Sequence, residues 1–161
     1  MPVHADLFRA ALSRFASGVT VVTARREDGR PHGLTVSAFS SLSLEPPLVL
    51  VCIDKKARAH DLLARSSYFA VHILRDDQEH LSRHFSSSLP DGELFRSVAM
   101  REGLGSLPLI EDVLVTIECS SRVAHSGGDH TIYVGEVERV DIRNGRPLLY
   151  YRSDYYSLGA R

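Results

Sequence analysis

Residues 31–54 read PHGLTVSAFSSLSLEPPLVLVCID, and this stretch decides the fold class. Its first half alternates. Leu34, Val36, Ala38, Leu42 and Leu44 share one parity, while Thr35, Ser37, Phe39, Ser41 and Ser43 share the other. Successive strand residues point to opposite faces, so this pattern predicts a strand from about Gly33 with a face of small hydroxyls. Ser40 interrupts the apolar parity and marks a bulge near Phe39 to Ser41. Pro46-Pro47 ends the segment. Leu48 to Ile53 (LVLVCI) is apolar on both faces, as in a strand covered on both sides.

The flanking sequence extends this β pattern. Val19 to Ala24 (VTVVTA) is β-branched, and Asp28-Gly29 supplies a hairpin turn before the quoted strand. Tyr68 to Leu74, Val113 to Val123 and Thr131 to Val140 read as further strands, the last two joined by the glycine-rich AHSGGDH. PLLYYRSDYYSL closes the chain with a strand and an aromatic tail. Helices are few. Asp6 is placed to cap one carrying Leu7, Phe8, Ala11, Leu12 and Phe15 on a single face, with Gly18 as its stop. Ala57 to Ala64 and Asp77 to Phe85 are two more. Ser86 to Pro108 is rich in Ser, Gly and Pro, with room for a short helical piece, and is expected to be a mobile loop or lid. One domain over residues 1–161, mainly β and built as an antiparallel barrel or sandwich, is the expectation.

Bulk properties exclude several classes. The formal net charge is −1, without the basic excess that a nucleic-acid surface requires. No apolar run approaches the roughly 20 residues of a membrane-spanning helix. MPVHADLFRAALSRF carries charge throughout and reads as a mature helix, not a signal peptide. Cys52 and Cys119 sit in apolar strands, with neither a CxxC pair nor a disulfide framework, so a cytoplasmic location is expected. No GxSxG, GxxxxGK[ST] or GxGxxG motif occurs. His80 and His84 have the i, i+4 spacing of a metal pair, but no third ligand is placed by spacing, and no metal is expected.

Two features point to a ligand. A strand face of small hydroxyls lets a flat polar heterocycle approach closely. Downstream, Lys55, Lys56 and Arg58 cluster at the start of a predicted helix, an arrangement suited to phosphate. His130, at the mouth of a strand after Gly127-Gly128, is either a hairpin cap or a group for a ligand amide.

These segments together resemble the flavin reductase-like family, the reductase components of two-component flavin monooxygenases. The resemblance runs through FRAALSRFASGVTVVTA, DGRPHGLTVSAFSSLSLEPPLVLVCID, FAVHIL, LSRHF, ECSSRVAHSGGDHTIYVGEV and PLLYYRSDYYSL, in that order. It implies a split antiparallel β-barrel of Greek-key type with a few short flanking helices. It also implies a homodimer and hydride transfer from NADH or NADPH to FMN or FAD, with reduced flavin supplied to a partner monooxygenase. An alternative on the same fold is a protein holding FMN tightly as an electron carrier or reducing another acceptor, such as a corrinoid. By the same resemblance Thr35, Val36, Ser37 and Ala38 line the flavin ring, with Ser40 and Ser41 nearby. Cys52, Ile53, Asp54, Lys55 and Arg58 cover the ribityl and phosphate end. Arg83 and Phe85 come from LSRHF, Tyr155 helps to close the pocket, and His130 stands where the nicotinamide stacks. Ala38 departs from the Ser or Asn common in the family at its position, and Leu34 from the common Met.

Overall fold

The computed structural model describes residues 2–159. Helix Ala5–Leu12 (α1) precedes strands Ser17–Gly18 (β1), Thr20–Arg25 (β2) and Pro31–Val36 (β3). Phe39–Leu44 (β4) and Pro47–Asp54 (β5) follow, then helix His60–Arg65 (α2) and strand Tyr68–Ile73 (β6). Glu79–Phe85 (α3) and Asp91–Leu94 (α4) lead into the short strands Met100–Glu102 (β7) and Pro108–Ile110 (β8). A long hairpin, Val115–Gly127 (β9) and His130–Ile142 (β10), is followed by a short one, Leu148–Tyr151 (β11) and Asp154–Ser157 (β12).

Seven strands form an antiparallel sheet in the order β3-β2-β6-β9-β10-β5-β4. Its two edge strands, β3 and β4, are consecutive in sequence and joined by only Ser37 and Ala38. Three Cα steps from Val36 to Phe39 span at most about 11 Å. Seven flat strands at about 4.8 Å spacing would hold their edges about 29 Å apart. The sheet therefore curls so that its edges approach each other without pairing, and β3 comes near β5. The result is a barrel split between β3 and β4, with the two-residue corner bridging the split.

This corner corrects the continuous strand expected from Gly33 to Leu44. The alternation is real, but it belongs to two strands at opposite sheet edges. The irregularity of β4 lies between Ser41 and Ser43, slightly beyond the expected bulge. Among the described residues, neither Ser37 nor Ala38 finds an acceptor for its backbone N–H; Ser37 O accepts from Phe39 N and Ala38 O from Cys52 N. Leaving the ladder frees two donors at the corner.

Strand β2 is buried on both faces. Val22 and Ala24 join Val51, Ile53, Phe69, Val71, Cys119 and Tyr133 in one core. Val19 and Val21 pack with Leu74, Leu81, Phe85, Leu94 and Ile110 in a second. Between β2 and β8, the wholly buried His72 bridges two backbones. Its Nδ1–H donates to Val21 O at 3.0 Å, and its Nε2 accepts from Ile110 N at 3.1 Å. Both bonds require the neutral ring, and burial lowers its pKa to about 4.

Other expectations shift. The cap of α1 is His4, whose Nδ1 accepts from Asp6 N, and no residue of α1 is buried. Its apolar face (Leu7, Phe8, Leu12) stays exposed, as does Phe15 beyond it. Only one face of β5 is covered: Val49, Val51 and Ile53 are buried, while Leu48, Leu50 and Cys52 are half-buried. Helix α2 starts at His60, so Lys55, Lys56 and Arg58 lie in the preceding turn. The stretch 86–108 is ordered into α4, β7, a 3₁₀ turn and the start of β8, not a structureless loop. The tail is a hairpin whose turn, Arg152-Ser153, has φ of 50° and 65°.

Candidate functional site

Two cavities meet beside the split. One of about 410 Å³ is lined by His32, Gly33, Thr35, Lys56, Arg58 and Phe85, among others. The other, of about 250 Å³, is lined by Val19, Thr35, Ser37, Ser82, Ser86, Tyr150 and Tyr155. Thr35 and Ser86 line both, so the two cavities are neighbours on either side of a shared wall.

Helix α3 builds the shared wall. Thr35 Oγ1 donates to Ser82 O at 2.6 Å, which anchors β3 to α3. Ser82 Oγ and the Tyr155 hydroxyl lie 2.8 Å apart. The Arg83 guanidinium lies over the Tyr155 ring, 4.9 Å from its centroid, and its Nε donates to Glu79 Oε1 at 2.7 Å. That places a cation and a held phenol at the rim of the smaller cavity. Tyr150 supports Tyr155 edge-on at 5.2 Å. In the larger cavity Phe85 packs against Gly33 and meets Phe95 edge-on at 5.3 Å. Arg58 is tied by Nη2 to Leu89 O at 3.0 Å.

The fold thus gathers Thr35, Ser37, Arg58, Phe85 and Tyr155 around one site, with Arg83 at its rim. Val36 and Ile53 are core residues, 5% and 2% exposed, so only their backbones can meet a ligand. Ala38 stands at the corner with its free N–H. Ser40 and Ser41 lie on the exposed edge strand β4 and line neither cavity; Ser40 Oγ donates to Ser41 O. Cys52 is on the half-buried outer face of β5.

A second group forms where β5 ends against β10, with Asp54 paired to His130. Lys55 Nζ donates to Ser126 Oγ at 2.7 Å and to Gly128 O at 2.6 Å. Its ammonium clamps the β9–β10 turn, so the cation offered to a phosphate is Lys56, which lines the larger cavity. Lys56 N in turn donates to Asp54 Oδ1 at 2.8 Å. His130 Nδ1 donates to Asp129 Oδ1 at 2.7 Å, and this bond lowers the Asp129 pKa. His130 lines neither cavity among the described residues. It stands on the hairpin tip next to the turn that carries Lys56.

Sequence reading missed His32, Ser82 and Ser86. Ser82 and Ser86 share one face of α3, a helix-period signal hidden among the charges of DQEHLSRHFSS. His32 had a visible signal: it is polar at the same parity as Leu34 and Val36. Of the histidine pair on α3, His84 is occupied, its Nε2 donating to Leu94 O at 2.7 Å.

The residues present suit a flavin. Free N–H groups at the corner match the carbonyls of a flat ring. Hydroxyls and a tyrosine line one end, and Lys56 and Arg58 supply cations at the other. The combined space is within the range of cofactor sites.

Comparison with known proteins agrees with this geometry. The model of the flavin reductase like domain matches residues 12–159. An NADH-dependent flavin reductase of Rhodococcus sp is 39% identical over 159 residues, covering 98% of this chain and 86% of that protein. The reductase component of a Thermus thermophilus 4-hydroxyphenylacetate 3-monooxygenase is 39% identical over 154 residues, covering 95% and 96%. The Streptomyces globisporus C-1027 NADH:FAD oxidoreductase SgcE6, solved with NAD and FAD fragments, superposes with a TM-score of 0.88. It is 35% identical and covers 94% of this chain and 91% of that one. With a family match across almost its whole length, a split barrel and a site suited to a flavin, this chain belongs to the flavin reductase-like family.

Proposed function

We propose that this flavin reductase oxidises NADH, transfers the hydride to FMN or FAD bound in the paired cavities, and supplies reduced flavin to a separate monooxygenase component. The observation that carries the reading is the pair of adjacent cavities that share Thr35 and Ser86, with cations in one and a held tyrosine in the other. The relatives named for NADH favour NADH over NADPH. When bound, the flavin supplies the electron-pair acceptor and the nicotinamide the hydride.

The protein's contribution is positioning and electrostatics. Hydride transfer between stacked rings needs no acid–base pair, which accounts for a site without a triad or carboxylate dyad. The Ser37 and Ala38 N–H groups are placed to bond the ring's carbonyl edge. With a flavin bound, these fixed dipoles and the Arg83 guanidinium at the rim would favour an anionic ring. The Thr35–Ser82–Tyr155 chain of hydrogen bonds holds the pocket wall in one shape. Lys56 and Arg58 take the phosphate end.

The same reading assigns a homodimer. Leu7, Phe8, Leu12 and Phe15 are 54–79% exposed, and Leu42, Leu44 and the outer face of β5 add further apolar surface. That much uncovered apolar surface fits a second copy better than water. The two free thiols fit a reducing cytoplasm. No helix among the described residues is long and apolar enough to cross a membrane.

The purified chain is expected to sediment as a dimer and to oxidise NADH only when FMN or FAD is added. Steady-state rates with both nicotinamides crossed against FMN, FAD and riboflavin test this. No oxidation with any flavin would end the reading.

His130 is assigned to the nicotinamide side, on the hairpin tip. His130→Ala is expected to weaken NADH binding or slow single-turnover flavin reduction by about tenfold, the loss of one good hydrogen bond. Flavin affinity should stay within about twofold. Unchanged single-turnover reduction would remove His130 from the mechanism.

A further inference from the structure

One polar side chain in the larger cavity has no role so far. His32 is 4% exposed, on β3 beside Gly33, and it lines the cavity together with Lys56 and Arg58. Its Nδ1 lies 2.6 Å from Asp91 Oδ1. Asp91 Oδ2 in turn accepts from Arg26 Nε at 3.0 Å and Nη2 at 2.8 Å. A carboxylate at Nδ1 makes that nitrogen the donor, so the ring turns Nε2 away from Asp91. Among the described residues Nε2 meets no hydrogen-bond partner. Among the described residues the one fully enclosed side-chain N or O atom without a partner is Ser121 Oγ. Nε2 is therefore open, and for a ring this buried the opening is the cavity it lines.

An apolar residue would fill this position more cheaply, because a buried imidazole held by a buried carboxylate costs desolvation. The arrangement makes sense if something polar meets Nε2. We propose that His32 is a flavin-binding residue whose Nε2 hydrogen-bonds the phosphate of FMN, with Asp91 and Arg26 as positioning residues that fix its ring. The proposal rests on the flavin reading of the paired cavities and assigns their phosphate-selective contact.

The chemistry follows from what faces the ring. Asp91 on α4 is the one acid against it, Arg26 follows β2, and Lys56 and Arg58 come from the turn after β5. Helix α3 presents Phe85 and Ser86 to the cavity, and its His84 is bonded to Leu94 O. Burial lowers the His32 pKa, with Asp91 opposing and Arg26 and Arg58 adding to the lowering. The unliganded ring is thus neutral near pH 7, with a lone pair at Nε2. A phosphate dianion can only accept, so it needs Nε2–H. Binding of FMN therefore draws one proton from solvent onto Nε2. The resulting imidazolium lies between Asp91 and the phosphate, with no bond made or broken beyond that protonation. Riboflavin lacks the phosphate and draws none.

The test compares FMN with riboflavin near pH 7.5, where a phosphate monoester is largely dianionic. Flavin fluorescence quenching gives affinities, and calorimetry in two buffers of different ionisation enthalpy gives proton uptake. The wild-type chain should take up a proton with FMN and none with riboflavin, a result that needs no variant. His32→Gln should bind FMN about tenfold to hundredfold more weakly, the range of a charge-assisted bond, with proton uptake abolished. Its riboflavin affinity should change by less than about threefold, which also shows that the variant is folded. Asp91→Asn should reduce proton uptake while keeping riboflavin binding. Arg58→Ala separates the two levels of the argument. If Arg58→Ala weakens FMN binding and His32→Gln does not, the cavity holds the phosphate and the assignment of His32 is overturned. If neither weakens it, the cavity reading falls together with the proposal. Equal proton uptake with FMN and riboflavin overturns the proposal on its own.

Discussion

Gly33→Val is expected to lose flavin binding and to destabilise the fold by about 1–3 kcal/mol, the usual cost of overpacking. A Cβ at Gly33 would lie 2.8 Å from the Phe85 ring and 3.0 Å from Phe95. Phe85 cannot swing aside cheaply, because it is 2% exposed and wedged edge-on against Phe95. Relief must come from moving α3 away from β3. That movement breaks the Thr35–Ser82 hydrogen bond, which holds the wall shared by both cavities. Stability and ligand binding should therefore fall together. Urea unfolding monitored alongside FMN titration measures both. Adding Phe85→Leu to Gly33→Ala should recover much of the loss by making room. An unchanged unfolding midpoint and affinity for Gly33→Val would show that the Phe85 contact does not set the shape of the site.

Acid should destabilise the chain before most of its carboxylates titrate, with His72 the main cause and His32 shifted in the same direction. The folded pKa of His72 is lowered from 6.5 to about 4, chiefly by burial. Above pH 6.5 neither state binds the proton, so the ring contributes its full stability. As pH falls from 6.5 towards 4, the unfolded chain takes up a proton that the folded chain refuses. Stability therefore drops with falling pH across that window, by about 3 kcal/mol in all at 1.36 kcal/mol per pH unit. The depressed carboxylates, among them Asp77 and Asp112 held by Arg75, contribute only at lower pH. Urea unfolding from pH 7.5 to 4.5 should show this slope. His72→Gln should flatten it while lowering stability at neutral pH, since one amide cannot reproduce both the bond to Val21 O and the bond from Ile110 N. An equally steep slope in the variant would assign the acid sensitivity to other groups.

Much of the fold was written in local pattern. The strands at 19–24, 48–53 and 68–74 and both arms of the long hairpin follow from β-branched runs and turn residues, signals that act over a few positions. The family resemblance rested on such segments, and the match over residues 12–159 agrees with it. Within the candidate site, Thr35 and Ser37 stood out through the hydroxyl face of their strand, while Phe85 and Tyr155 entered only through the family resemblance.

What local pattern misjudged, it misjudged for long-range reasons. Lys55 looked like a phosphate ligand, but its ammonium is claimed by Ser126 and Gly128, 71 and 73 residues away. The stretch 86–108 looked like a mobile loop, yet Leu94 and Leu107 within it are buried, and Pro108 O accepts from Thr23 Oγ1, 85 residues away. The apolar stripe of α1 reads as a core face in any sequence, and only the folded chain leaves it bare.

The alternation in GLTVSAFSSLSL by itself determined that these residues would be strand, with small hydroxyls set against apolar side chains. It could not say that Ser37 and Ala38 leave the ladder, because every residue on either side obeys the same period. The tertiary structure decided that, through the strand order that makes β3 and β4 opposite edges of one sheet. A link of two residues cannot reach across a flat sheet of seven strands, so the sheet curls into an open, split barrel and the corner loses its strand partners. The flavin site proposed above lies at that corner, and the free N–H groups there follow from the split between β3 and β4.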